Sequence, residues 1–369
     1  MKIILVGAWY TSIYEEPLAR SFKILGHEVY EFKSSSYFRN VHLDHYRQGT
    51  FSLAEVFYYK FQNKFLVGPV ISKINNDLFD LCSEVQPDMV FFYRALFIRS
   101  RTIRRIKKVC SAKLTSYHND DAYTAGNKWR NRHYISSLRS MDFNYVYRPK
   151  NLLDVQNLSK HCEILLPYPN TDFIHPLENC EKKYDVVFIG HYEDDGRDQF
   201  IMELIFDNSI NFMLFGTDWY RSPFYPEIKE KLGETGPVYG ENYNITLNQT
   251  KMALCFFSRI NNDQYTRRTF EIPSAGTMLF SQFSKESAEL FKPDVEAVYF
   301  QSTSELLKKA HYYLKHDEKR KTIARNGFQQ VFDGGHTSMD RAKQILGNLD
   351  KNIKLEAEVE SALNKPSIP

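Results

Sequence analysis

At 369 residues the chain is long enough for about two domains of roughly 150 residues each. Its 48 basic and 45 acidic residues leave a net charge of +3, which argues against a protein built to neutralise many nucleic-acid phosphates. The five cysteines, Cys82, Cys110, Cys162, Cys180 and Cys255, are odd in number and lack CxxC spacing, so neither a disulfide framework nor a structural zinc site is expected.

In chain order, Lys2 to Val6 is a compact apolar run ending at Gly7, too short for a signal peptide. A helix follows around Pro17 to Leu25, and Gly26-His27 leads into a strand from Glu28 to Phe32. Strand, helix and strand within about 30 residues make a βαβ unit, hence a parallel sheet. Residues 40–75 are aromatic-rich without a regular period and read only as loop and helix. The rhythm returns with a strand at Asp88 to Tyr93, a basic helix at Arg101 to Val109 and a strand at Lys113 to Tyr117. Residues 165–183 turn to proline, asparagine and charge, the composition of a linker.

The pattern then restarts with Asp185 to Ile189 running into Gly190, a helix near Gln199 to Phe206, and Asn211 to Phe215 running into Gly216. Met252 to Phe257 and Thr277 to Ser281 read as strands, Ser304 to Lys315 and Glu318 to Val331 as helices. After the break at Gly334-Gly335, a long charged helix is expected from about Ser338 to Leu363. The predicted fold class is α/β, with Rossmann-like parallel-sheet domains at 1–170 and 171–337 and a C-terminal segment at 338–369. No run approaches the ~20 apolar residues of a membrane span, so a cytoplasmic protein is expected.

The most informative stretch is Asp263 to Phe280. It sets Asp263 and Glu271 eight positions apart with Arg267 and Arg268 between them, then a small-residue turn at Ser274-Ala275-Gly276 and the apolar strand from Thr277. Eight positions is a little over two helical turns, which would place both acids at one end of a short helix. A carboxylate accepts both hydroxyls of a ribose or sugar ring, and a guanidinium clamps a phosphate. The bland alternative is a set of surface ion pairs, since Arg267 and Glu271 are four apart and Arg268 and Glu271 three. Pro273 removes a backbone donor, so the helix must be short, start late or kink, and a short helix offers N-terminal amides to an anion. Gly276 is the expected left-handed cap.

This acid, seven residues, Glu, and a small-residue run ending in Gly resemble the E-x7-E region of group-1 glycosyltransferases of the B fold. The wording RRTFEIPSAGTMLF at 267–280 is most similar to the CgeB-like branch, named for a spore-maturation protein. The resemblance implies two Rossmann-like domains facing across a cleft, with the last helix crossing back to the first domain. It implies that Glu271 holds the donor ribose, that Arg267 or Arg268 contacts phosphate, and that Asp263, one methylene shorter than the family's Glu, meets the donor sugar. Gly190 with Arg197 is similar to the loop that admits the diphosphate, and Tyr239-Gly240 to the loop that meets the nucleobase. A buried turn aromatic is the bland reading of Tyr239, a surface helix residue that of Arg197. Gly276 and Thr277 complete the implied donor set. Gly7 and Trp9, after the first strand, fall on the acceptor side.

Ligands of open parallel sheets sit beyond the carboxyl ends of the strands. That rule adds the run His118 to Asp121, where His118, Asp120 or Asp121 could take a proton from an acceptor hydroxyl, against the alternative of a helix cap or Asx turn. No D-x-D metal motif occurs there or at Asp194-Asp195, and no metal or other cofactor is expected. The expected reaction moves a sugar from a UDP-, GDP- or dTDP-linked donor to a hydroxyl on a glycan, lipid-linked glycan, protein or small molecule, with retention weakly favoured. The alternatives are a nucleotide-sugar epimerase or hydrolase on the same fold, and a non-catalytic nucleotide- or glycan-binding module. Nucleic acid is not an expected partner. The basic run 99–108 reads as a solvated helix face, or as a peripheral contact with the inner membrane face.

Overall fold

The computed structural model describes residues 1–11, 13–38, 52–124 and 126–363, with side chains as far as Asp350. The part of the 40–75 stretch up to residue 51 lies outside the described residues. The chain divides into two compact units, Met1–Leu166 with the residues from Ser338 onward, and Pro167–Thr337. The break falls at Leu166 rather than 170 because the Asn170 carbonyl already accepts the amides of Phe173 and Ile174 in the entry turn of the second unit. Farther along that turn, the side chain of Asn248 accepts the Leu177 amide at 2.7 Å.

The first unit runs β1 (Lys2–Gly7), α1 (Glu15–Ile24), β2 (Glu28–Lys33), α2 (Leu53–Phe65), α3 (Pro69–Val85), β3 (Met89–Tyr93), α4 (Ser100–Val109) and β4 (Lys113–His118). It continues with α5 (Arg132–Ser137), β5 (Phe143–Val146), α6 (Pro149–Val155) and β6 (Cys162–Ile164). Its six-stranded sheet has the order β2-β1-β3-β4-β5-β6 and is parallel throughout. Strands covered on both faces read as continuous apolar runs, and every residue of Met-Val-Phe-Phe-Tyr in β3 is buried. Ile71, Ile74 and Leu78 of α3 pack against Ile4, Val90 and Leu114 of the sheet.

The second unit holds β7 (Tyr184–Ile189), α7 (Arg197–Phe206), β8 (Phe212–Phe215), α8 (Tyr225–Leu232), α9 (Gly240–Asn248) and β9 (Thr250–Cys255). It ends with α10 (Arg268–Ser274), β10 (Met278–Gln282), α11 (Lys285–Leu290), β11 (Val298–Phe300), α12 (Thr303–Lys315) and α13 (Asp317–Asp333). Its parallel sheet has the order β11-β10-β9-β7-β8. Aromatic packing fills the core, with Phe256 within 5.0 Å of Phe188 and 5.6 Å of Phe300 between ring centroids.

α14 (Ser338–Leu363) belongs to the first unit. Ser21 Oγ of α1 donates to Ser338 Oγ at 2.9 Å. Asn348 Nδ2 donates to Tyr145 Oη at 3.2 Å and Glu163 Oε2 at 2.7 Å.

The strand orders matter for function. In the first sheet the chain departs in opposite directions from β1 and β3, and in the second from β7 and β9. Such switch points open a crevice at the carboxyl ends of the strands. They fall at Gly7 and Arg94 in the first unit, and at Gly190 and Ser258 in the second.

Candidate functional site

In the second unit the run Asp263 to Phe280 does not hold both acids on one helix. α10 has only seven residues, and Asp263 lies five positions before it, its amide bonded to the Ser258 carbonyl. The loop is turned by Asn262 at φ +53°. Thr269 Oγ1 accepts the Thr266 amide at 3.1 Å and so fixes where the helix begins. The amides of Thr269, Phe270 and Glu271 already bond to the carbonyls of Thr266 and Arg267, so these three are not offered to an anion. Pro273 sits in the last turn, and Gly276 at φ +70° caps the helix. Thr277 is buried, with its hydroxyl given to the Leu247 carbonyl at 2.6 Å and its amide to Ile272. Its hydroxyl is a packing element with no proton left for a donor phosphate.

Glu271 is buried, and each of its carboxylate oxygens has one partner among the described residues. Oε1 takes Arg267 Nη2 at 2.8 Å, and Oε2 takes the Tyr243 hydroxyl at 3.0 Å. The (i, i+4) ion pair exists, but inside the protein rather than on its surface. Burial, and then the Glu271 charge, push the Tyr243 hydroxyl well above its usual pKa, so it donates. A carboxylate offers about four lone-pair positions, so about two stay open at Glu271. Arg268, three residues before it in α10, buries Nε without a hydrogen-bond partner among the described residues.

At the β7/β9 switch point, Gly190 sits where a Cβ would meet the Phe188 ring at 2.6 Å. Arg197 is not a free cation. It is buried, with Nε and Nη2 on Asp195 at 2.8 and 2.6 Å and Nη1 on the His191 carbonyl at 3.0 Å. It staples its own loop, and its charge is spent there. Glu193, which sequence spacing did not single out, joins the two strand ends by accepting Ser258 Oγ at 2.6 Å and His191 Nε2 at 2.8 Å. Burial alone would raise its pKa, but those bonds and the Arg197 charge outweigh it and hold the carboxyl at about 2.

Tyr239 is 59% exposed, not the buried turn aromatic of the bland reading. It precedes α9, whose first residue, Gly240, has φ +56°. The loop before it is fixed because the Gly216 amide donates to the Gly236 carbonyl at 3.0 Å. Gly216 itself, at φ +150°, would place a Cβ 1.9 Å from the Gly190 carbonyl oxygen. Gly216→Ala should therefore cost on the order of 3–5 kcal/mol, from overpacking plus backbone strain. Gly276→Ala, with 3.4 Å to Pro176, should cost only about 1–2 kcal/mol. Urea unfolding of the two variants checks the order.

In the first unit the predicted acceptor-side residues separate. Gly7 ends β1 beside a buried carboxylate: Glu15 Oε1 lies 2.4 Å from where a Gly7 Cβ would sit and accepts the Trp9 amide at 3.0 Å. Burial raises the Glu15 pKa against the pull of the Trp9, Glu15 and Ala8 amides. Trp9 takes φ +56° and buries Nε1 without a partner among the described residues.

His118 is buried with both ring nitrogens engaged, Nε2 on Asn131 Oδ1 at 2.7 Å and Nδ1 facing the Asp120 backbone. Burial pushes its pKa down to about 4, and the ring lies 4.4 Å from Tyr134. Asp121 is fully buried, accepting from Asn151 at 3.0 Å, Lys150 at 2.8 Å and the Tyr123 amide at 3.0 Å. It closes an Asx-type turn, the bland alternative. Only Asp120 keeps substantial exposure, in an ion pair with Arg94 at the β1/β3 switch point.

Sequence reading missed most of this cluster. Arg94 follows β3 at φ +43°, and Tyr10 faces Asn63, whose side chain and carbonyl take Arg130 at 3.1 and 3.2 Å. The residues come from four separate stretches, and none shares a motif spacing. The one readable signal was the place of Tyr10 and Arg94 after apolar strands. On α4 the basic residues form a solvated face over buried Ile103 and Ile106, with Arg105 against the Phe79 ring and Lys107 paired to Asp142.

Residues 197–347, from α7 into α14, match the family model described as glycosyl transferase-like. No curated protein matches the sequence. Among solved structures, the sucrose-phosphate synthase of Thermosynechococcus elongatus superposes with TM-score 0.66 at 10% identity, over 96% of this chain and 100% of that one. A glycosyltransferase from Rickettsia africae gives 0.63 at 13% identity, over 96% and 98%. HepE of Anabaena, solved in complex with UDP-glucose, gives 0.61 at 11% identity, over 95% and 100%. At such identities the likeness is one of fold. The chain thus has the B-type glycosyltransferase fold of two parallel-sheet α/β units, and the stretch similar in sequence to glycosyl transferases includes Glu271 and Arg268.

Proposed function

We propose that this protein is a glycosyltransferase moving a sugar from a nucleoside-diphosphate donor to a hydroxyl acceptor, with the donor held in the second unit. The observation that carries the reading is Glu271: a buried carboxylate with about two acceptor positions left, three residues from Arg268, whose Nε has no partner among the described residues. Ribose hydroxyls fit the first and a diphosphate the second. HepE, of the same fold, was solved with UDP-glucose, which supports a nucleotide sugar as the donor. In this reading Tyr239 offers its exposed ring to the base and Gly190 the close backbone approach. Asp263 stays the candidate for the donor sugar.

The slow step separates a diphosphate leaving group from an oxocarbenium-like sugar, and fixed cations lower its barrier most. With Arg197 and the amides of Thr269, Phe270 and Glu271 engaged internally, Arg268 is assigned that task, helped by Arg267. We assign retention of configuration, with the leaving diphosphate taking the acceptor proton and no resident metal required. The engagement of His118 and Asp121 supports this, since it leaves Asp120 as the one candidate base near solvent. Assignment to the CgeB-like branch, and to a cytoplasmic setting, belongs to the same proposal.

The test is a thermal-shift screen with UDP-, GDP-, dTDP-, ADP- and CMP-linked sugars, followed by labelled-donor incubation with and without glycan acceptors. A matching donor at a hundred times its Kd should add about 2.7 kcal/mol of stability. Labelled product only in tubes with acceptor supports transfer. Product without acceptor favours the epimerase or hydrolase, and binding without any product favours the non-catalytic module.

A further inference from the structure

α2 carries its apolar side chains on the wrong side for a core helix. Of its thirteen residues only Gln62 is fully buried, while Leu53 is 89% and Phe57 71% exposed. Leu53, Phe57, Phe61 and Phe65 recur every four residues and so form one row along the helix. The rings touch in sequence: Phe57 to Phe61 at 6.1 Å, Phe61 to Phe65 at 4.7 Å, and Phe65 to Trp129 at 5.8 Å between centroids. Trp129, from the segment before α5, is half exposed and extends the row. A contiguous ridge of large exposed apolar side chains marks an interaction surface.

The charges beside the ridge identify what it meets. Lys64 lies over the Phe65 ring at 5.6 Å and Arg132 over the Trp129 ring at 4.2 Å. Lys60 on α2 and Lys128 before Trp129 are exposed. Against these four cations α2 has one acid, Glu55, held in the capping box with Ser52 at the helix start. Aromatic rings with Lys and Arg stems lying along them suit the boundary between lipid headgroups and acyl chains. A two-fold pairing of the ridge with itself would bring like charges together. We infer that the α2 ridge, with Trp129, docks peripherally on an anionic lipid bilayer.

The inference stands whether or not the donor reading holds. Its test is flotation of the full chain with phosphatidylcholine vesicles, with and without phosphatidylglycerol. Binding is expected with phosphatidylglycerol, accompanied by a blue shift of tryptophan emission that Trp129→Phe removes. Joint replacement Phe57→Ser and Phe61→Ser should lower binding by about tenfold or more, and Lys60→Glu with Lys64→Glu should abolish the preference for phosphatidylglycerol. All four side chains are exposed, and unchanged melting temperatures confirm that the variants fold. The inference is overturned if wild type fails to float with either vesicle. It is also overturned if Arg104→Glu with Lys108→Glu on α4 abolishes flotation while the Phe57 and Phe61 changes do not. Sedimentation of a dimer that Phe57→Ser dissociates, without flotation, would assign the ridge to self-association instead.

Discussion

Glu271→Gln should weaken donor nucleotide binding by about 10- to 150-fold, the equivalent of roughly 1.5–3 kcal/mol for a charged hydrogen-bond acceptor. The amide keeps the shape of the side chain and can still accept the Tyr243 hydroxyl, but it no longer balances Arg267. The readout that matters is the split between affinity and stability. A carboxylate serving only the internal pair would cost melting temperature and leave nucleotide affinity unchanged. Arg268→Met makes the complementary change: it removes the guanidinium with the unpartnered Nε and should lower transfer with little loss of stability. Calorimetry with the donor found in the screen, beside urea unfolding of each variant, separates the outcomes.

Acid should destabilise the first unit through His118. Burial holds the folded-state pKa at about 4 against 6.5 for the free side chain. Between those values the unfolded chain takes up a proton that the folded ring refuses. The contribution is therefore fully present above pH 6.5 and falls away as the pH drops towards 4. The loss should reach on the order of 3 kcal/mol. Hydrogen exchange of the β4 and β5 amides at pH 7 and at pH 4 measures it, and His118→Gln should flatten the difference. Glu193 works in a lower window: its folded pKa of about 2 gives stability above pH 4.5 that is lost as pH falls through 2.

The strands were legible because both sheets are covered on two faces, so that runs such as Met89 to Tyr93 and Met252 to Cys255 stay apolar without alternation. The start of α14 was legible because Gly334-Gly335 breaks the helical pattern before it. α2 was not, since its outward aromatics erase the usual polar face. The candidate site was only partly legible. Glu271 and Arg268 stood out by spacing, but spacing cannot show that Arg197 would be taken by Asp195, two residues away in sequence. Nor can it gather Tyr10, Asn63, Arg94 and Arg130, which only the folded chain assembles.

α14 gives the first unit its last piece only after the whole second unit has left the ribosome. Until then the nascent chain lacks Asn348, and Tyr145 and Glu163 lack the amide that bridges them. Any expression of the first unit by itself must therefore graft the sequence from Ser338 onto its end, and a chain cut at Thr337 should emerge with α1 uncovered and prone to chaperone capture.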